Sequence, residues 1–201
     1  MCDGRLHFYD RLQILEEKDR SLEQRERLRA VEKPLLAWYA SRARKLPWRE
    51  DPKPYRVWIS EIMLQQTRVE AVKPYFERFM ESFPEIRDLA QAEDDRLMKL
   101  WEGLGYYSRA RNPQKAARQI VANFGAVFPN TYDEIRPLAG VGDYTPGAVA
   151  YTPFGLPVPP VEGNVLRVVT RITGDTGALP PPEATRRHTQ ELRNPLPTHA
   201  T

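Results

Sequence analysis

Apolar positions recur at helical spacing along most of this chain, and no segment shows the alternation of period two that marks a strand. Residues 33–43 carry Leu35, Leu36, Trp38 and Tyr39 and predict a helix, which Leu46-Pro47-Trp48-Arg49 ends. Asp51-Pro52-Lys53-Pro54 reads as a loop. Helical spacing resumes over 55–66 and again over about 68–82, with a break at Pro84. Further helices are predicted over 93–101, 108–124 and 131–137, another from near Tyr144, and a last clear one over about 163–173. Gly125 suits the position just past a helix C-terminus, and Thr131 with Glu134 fits a capping box. The predicted fold class is all-α.

The two ends differ from the middle. Residues 1–30 are rich in Arg and Glu, with Leu12, Leu15, Leu22 and Leu28 scattered among the charges, and read as a mobile or helical extension. The tail holds Pro180-Pro181-Pro182 and Pro195-Leu196-Pro197 around one weak helical stretch near 183–193. The expected organisation is a charged extension over 1–30, a helical domain over 31–178 with a hairpin at about 131–150, and a Pro-rich remainder of that domain over 179–201.

The 201 residues suit one domain, or one and a fragment of another. A net charge of +3 is compatible with a polyanionic partner without being diagnostic of one. The local pattern is sharper: Arg109, Arg111, Lys115 and Arg118 lie close to Tyr106 and Tyr107. Aromatic and basic groups together suit stacking on bases and pairing with phosphates, although any one of them fits a solvated helix face equally well. Cys2 is the single cysteine, so no disulfide forms within the chain and no local His/Cys cluster builds a metal site. No apolar run approaches membrane-spanning length and the N-terminus lacks a signal-peptide core, so the default expectation is a cytoplasmic protein away from membranes.

The most informative motif is Leu138-Ala139-Gly140-Val141-Gly142-Asp143-Tyr144-Thr145. Two glycines one residue apart permit a tight turn with positive backbone dihedrals and leave neighbouring amides uncovered. Amides at the start of the next helix then favour an anion such as a DNA phosphate. This is the pattern of a helix-hairpin-helix, in which Gly140, Val141, Gly142 and Thr145 grip a nucleic-acid backbone.

Two carboxylates carry candidate chemistry. Glu61 sits in Val57-Trp58-Ile59-Ser60-Glu61-Ile62-Met63-Leu64-Gln65-Gln66, with Val57, Trp58, Leu64 and Gln65 as its expected helical neighbours. Desolvation on so apolar a face raises a carboxyl pKa and favours the protonated acid. Glu162 precedes Gly163-Asn164 at a helix start, where the macrodipole favours the ionised form. Taken singly, each reads more simply as a structural Glu. Taken together, an acid kept protonated and one kept ionised make the division of labour that cleaves glycosidic bonds. In DNA the scissile bond is N-glycosidic, and reaching it requires flipping the nucleotide out of the stack. Gln65, Gln66 and Tyr106 are suited to contact or enter the opened stack.

The segments LPWR at 46–49, PYRVWISEIMLQQTRVEAVKPYFERFM at 54–80, LWEGLGYYSRARN at 100–112, LAGVGDYTPGAVA at 138–150 and VEGNVLRVVTR at 161–171 carry a resemblance. Across roughly 33–175 the chain resembles the adenine DNA glycosylases of the helix-hairpin-helix glycosylase superfamily. The resemblance implies a monofunctional hydrolase of base excision repair that releases adenine mispaired with 8-oxoguanine or guanine in double-stranded DNA. It implies that Glu61 protonates adenine at N7 and then handles water, and that Gln66 and Tyr106 insert near the lesion pair. Trp48 and Arg49 match the element that lines the base pocket, and Asn164 matches the residue that supports the second carboxylate. Tyr144 stands where the related endonuclease III-like lyases carry the lysine that attacks the sugar. The resemblance further implies a monomer, and a monovalent cation on the hairpin carbonyls.

Departures accompany it. Glu162 stands where the family has Asp, and a misplacement of about 1 Å can cost roughly a hundredfold in rate. Ala139 stands in place of the usual Pro and is expected to loosen the turn. Pro153 falls where the family helix runs on. The family's [4Fe-4S] cluster takes four cysteines that these residues lack, so the expectation is a helix-hairpin-helix fold incomplete at its C-terminus and without that cofactor. Two rival expectations stand beside the glycosylase: a DNA-binding remnant without catalysis, and an endonuclease III-like lyase, which Tyr144 disfavours.

Overall fold

A computed structural model describes residues 3–142, 145–154 and 163–174. Tyr144 and Glu162, and the helix expected near 183–193, lie outside these residues. The described residues form ten helices and no strand. In chain order they are α1 (Asp3–Arg42), α2 (Pro47–Glu50), α3 (Pro54–Leu64), α4 (Val69–Ser82), α5 (Ile86–Gln91), α6 (Asp94–Trp101), α7 (Ser108–Phe124), α8 (Tyr132–Ile135), α9 (Thr145–Phe154) and α10 (Gly163–Thr173).

They divide into two compact units, and the chain passes from the first to the second between Arg44 and Lys45. In the first unit α1 packs against α10. The helix expected at 33–43 is the last part of α1, a single 40-residue helix that runs through Pro34. Arg27 Nη1 donates to Thr173 O at 3.3 Å, so an arginine of α1 satisfies a carbonyl at the C-terminus of α10. Of the described side chains in this unit, only Leu166 and Thr173 are buried.

The second unit, α2 to α9, holds the hydrophobic core. Pro47 and Pro54 begin α2 and α3 at the position where a missing N–H costs nothing. Core side chains come from nearly every helix: Trp58 and Ile59 from α3, Phe76 and Phe79 from α4, Leu89 from α5, Leu97 and Trp101 from α6, and Ile120 from α7. The rings meet edge to face, Phe79 against Trp101 at 6.1 Å and Trp58 against Phe128 at 5.5 Å. Tyr55 donates from its hydroxyl to Phe83 O at 3.0 Å, and burial pushes its phenol pKa up. Gly125 ends α7 in the left-handed conformation at φ 61°. Thr131 caps α8 by accepting from the Glu134 amide at 3.3 Å. The Glu134 carboxylate accepts from the Thr131 hydroxyl instead of from its amide, so half of the expected box is made.

Two short helices, α2 and α5, appear where a loop or nothing was expected. The expected helix over 55–66 stops at Leu64. Gln65 is its C-cap and Gln66 turns left-handed, so Gln65 is not the helical neighbour of Glu61 that the spacing predicts. Pro153 lies inside α9, which the described residues follow to Phe154. A proline there leaves the carbonyl four residues back without its helical donor.

Candidate nucleic-acid interface

Helix α3 positions Glu61. Val57, Trp58, Ile59, Ser60, Ile62 and Met63 are buried around it, and Glu61 itself is half-buried. The helix lies against both α7 and α9. After Leu64 the chain leaves the helix at once: Thr67 N donates back to Leu64 O at 3.3 Å, and Gln66 adopts φ 59° with its side chain exposed. A non-glycine residue there carries about 1–2 kcal/mol of strain and persists only where its surroundings impose it.

A second left-handed residue lies in the turn between α6 and α7. Tyr106 has φ 48° and is 68% exposed, although Leu104 two residues before it is buried. Trp101 Nε1 donates to Gly105 O at 3.3 Å and pins the turn to the core. Among the described residues the non-glycine positions with positive φ are Gln66, Tyr106 and Ala126, so two of the three are residues expected to enter the DNA stack.

Arg109, in the first turn of α7, joins these two segments. Its Nη1 donates to Ile62 O at 3.4 Å and to Gln65 O. Its Nη2 donates to Leu104 O at 3.0 Å, to Gly105 O at 3.5 Å and to Thr67 Oγ1 at 3.5 Å. The guanidinium carbon lies 5.2 Å from the centre of the Tyr106 ring. Burial lowers the Arg109 pKa, while Tyr106 acts to raise it.

The hairpin occupies 138–142. Val141 N donates to Leu138 O at 3.1 Å and closes the turn, with Gly140 at φ 74°. A Cβ on Gly140 would overlap the Asn112 side chain, so glycine is required both by the backbone and by the approach of α7. Ala139 N donates to Gln119 Oε1 at 2.9 Å. A proline has no such donor; the alanine that was expected to loosen the turn supplies a bond that ties it to α7. Gly142 is exposed, Val141 is half-buried against the core, and Thr145 is buried at the start of α9.

The remaining expected site residues are dispersed. Trp48 is buried and meets Phe76 edge to face at 5.2 Å, while Arg49 beside it on α2 is exposed. Arg111 and Lys115 are exposed on α7, and Arg118 donates from Nε to Ala90 O at 3.0 Å. Asn164, in the other unit, is exposed and accepts from Arg167 Nη2 at 3.0 Å. Sequence reasoning missed Asn112 and Gln119 as hairpin supports. Their spacing of seven on one helix face is the signal that would have paired them. Among the described residues no three His, Cys, Asp or Glu side chains gather as metal ligands. The single cysteine, Cys2, does not supply the four thiolates that a [4Fe-4S] cluster takes.

Residues 59–195 match the HhH-GPD superfamily base excision DNA repair proteins. The chain belongs to this family. The match takes in α4 to α10, the hairpin and most of α3. Within the family, the chain is 42% identical over 171 residues to the adenine DNA glycosylase of Mus musculus, covering 81% of this chain and 33% of that protein. It is 46% identical over 138 residues to the adenine DNA glycosylase of Buchnera aphidicola subsp. Baizongia pistaciae, covering 68% of this chain and 39% of that protein. The chain thus spans between a third and two fifths of the length of these relatives. A solved structure of a thermostable thymine-DNA glycosylase superposes with a TM-score of 0.74 at 23% identity, over 84% of this chain and 78% of that one. That likeness establishes the helix-hairpin-helix glycosylase fold.

Proposed function

We propose that this chain carries glycosylase chemistry on double-stranded DNA, hydrolysing the N-glycosidic bond of adenine mispaired with 8-oxoguanine or guanine. The observation that carries the reading is the pair Gln66 and Tyr106. Two exposed side chains on left-handed residues stand at the end of the helix that bears Glu61 and at the turn tied to it. Strain of this kind gathers where a surface must hold a fixed shape against a partner. The relatives named adenine DNA glycosylases support the choice of base.

In this reading the hairpin amides hold a backbone phosphate, which fixes register without reading sequence. Gln66 and Tyr106 fill the space of an extruded adenosine and offset the few kcal/mol of unstacking. Glu61, as the general acid, gives its proton to N7 of the adenine. The C1′–N9 bond breaks, its electron pair leaves with the base, and the sugar becomes an oxocarbenium ion. A carboxylate at Glu162 stabilises that cation; its place rests on the sequence. Water adds to C1′ and its proton returns to Glu61.

Single-turnover adenine release from an adenine·8-oxoguanine duplex tests this. Loss of the general acid in Glu61→Gln should lower the rate by about 10²–10⁴-fold with duplex affinity retained. Glu162→Asp should raise it, because the shorter side chain restores the family's reach. Duplex binding with no release from any of the three proteins favours the binding remnant. A covalent DNA adduct trapped by borohydride favours the lyase.

A further inference from the structure

Arg109 is the one cation of its neighbourhood whose donors all turn inward. Arg111 and Lys115 on the same helix are exposed, whereas both terminal nitrogens of Arg109 are occupied by the protein's own oxygens. The allocation is asymmetric. Nη1 serves Ile62 and Gln65, at the C-terminal end of α3, where helix carbonyls lack helical donors and a cation is favoured. Nη2 serves Leu104 and Gly105, two carbonyls just before Tyr106, and reaches Thr67 just after Gln66. The two segments are about forty residues apart in sequence, and the planar fork bridges them. The same guanidinium lies beside the Tyr106 ring, and the Arg109 amide donates to Tyr106 O at 2.8 Å.

We infer that Arg109 is a positioning residue that locks Gln66 and Tyr106 into one rigid two-pronged wedge. Each prong alone sits in a conformation its residue type disfavours. One side chain touches both sides of Gln66, the two carbonyls before Tyr106 and the Tyr106 ring, and so holds the two prongs together. Lysine keeps the charge but not the clamp, because a single ammonium lacks two nitrogens held in a fixed plane. That the wedge enters DNA rests on the function proposed above; that it is clamped does not.

The test uses the full 201-residue chain, with Arg109→Lys and Arg109→Gln. Hydrogen exchange on the free protein should accelerate by about tenfold or more at amides 65–67 and 104–107 together, while amides 114–120 of α7 keep their protection. On a duplex carrying 2-aminopurine opposite 8-oxoguanine, the fluorescence rise that reports extrusion should fall by about tenfold in both variants. The salt dependence of binding a matched duplex should not change. In a Gln66→Ala/Tyr106→Ala background, adding Arg109→Lys should produce no further loss of extrusion. Acceleration confined to one segment overturns the inference, as does a lysine variant that behaves as the original chain. A salt slope reduced by about one, with extrusion intact, marks Arg109 as a phosphate contact and also overturns it. If the unsubstituted chain extrudes no base while the two segments still loosen together in the variants, the clamp stands and the function proposed above fails.

Discussion

The smallest unit of design visible here is a side chain that completes a turn from outside it. Gln119 accepts the Ala139 amide at 2.9 Å and Asn112 packs on Gly140, so the hairpin is held from α7 rather than by its own residues alone. A hydrogen bond of this kind contributes about 0.5–1.5 kcal/mol net. Gln119 is itself exposed, which places its bond toward the lower end of that range. Gln119→Ala should therefore lower global stability only slightly, and weaken duplex binding by about threefold to tenfold through a less ordered hairpin. Titration of a matched duplex beside a thermal melt checks this; a drop in melting temperature with affinity unchanged would show that the bond serves the fold and not the phosphate grip. The residue-scale surprise is similar in kind. Arg109 belongs to a basic-aromatic cluster that reads as a DNA face, and nothing in its spacing tells that its fork is filled by carbonyls from two other segments. The contacts to Ile62 and Gln65 are made at a separation of forty-odd residues, which local pattern cannot register.

At the scale of the element, α7 does two jobs on two faces. Ala110, Pro113, Gln114, Ala116, Ala117 and Ile120 are buried, and small side chains let α5 approach closely. Gln114 Nε2 donates to Ala92 O at 2.6 Å and Arg118 Nε to Ala90 O at 3.0 Å, satisfying carbonyls at the C-terminal end of α5. The outer face keeps Arg111 and Lys115. If that face meets a phosphate backbone, Arg111→Gln and Lys115→Gln should each reduce the slope of log affinity against log salt by about one, uniformly across sequences. Equal slopes for both variants and the original chain would move the interface elsewhere. This helix, with α3, α4, α6 and α10, was legible because each repeats its apolar positions over two turns or more. The ends were less so. Helix α5 has six residues and α2 has four, too few for a period to declare itself. The exit from α3 at Leu64 was invisible because Gln65 and Gln66 are good helix formers; tertiary contacts to Arg109 override their propensity. Helix α1 was read as two pieces because its charged half shows no apolar stripe.

For the molecule as a whole, the decisive asymmetry is where the described apolar side chains lie. The core cluster runs from Leu46 to Val149 and lies wholly in the unit of α2 to α9. The unit of α1 and α10 has Leu166 and Thr173 as its buried described side chains, and Leu35, Leu36 and Trp38 remain 54%, 49% and 57% exposed. Burying a leucine or a larger ring contributes about 1.5–3 kcal/mol, so the described side chains of the two units differ in the term that dominates folding. They should therefore open at different free energies. Hydrogen exchange at rising urea should lose protection first in peptides from 20–42 and 163–174, with amides of α3, α4, α6 and α7 exchanging only with global unfolding. The fluorescence of the buried Trp58 and Trp101 should still report a folded core after the first loss. A single transition shared by all peptides would mean that α1 and α10 draw stability from the larger unit. In the predicted order, Glu61 and the wedge stand on the unit that persists, whereas Asn164 stands on the one that opens, so the chemistry assigned to the second carboxylate would fail at lower urea than duplex binding. Measuring adenine release and duplex affinity over the same urea series separates the two losses directly.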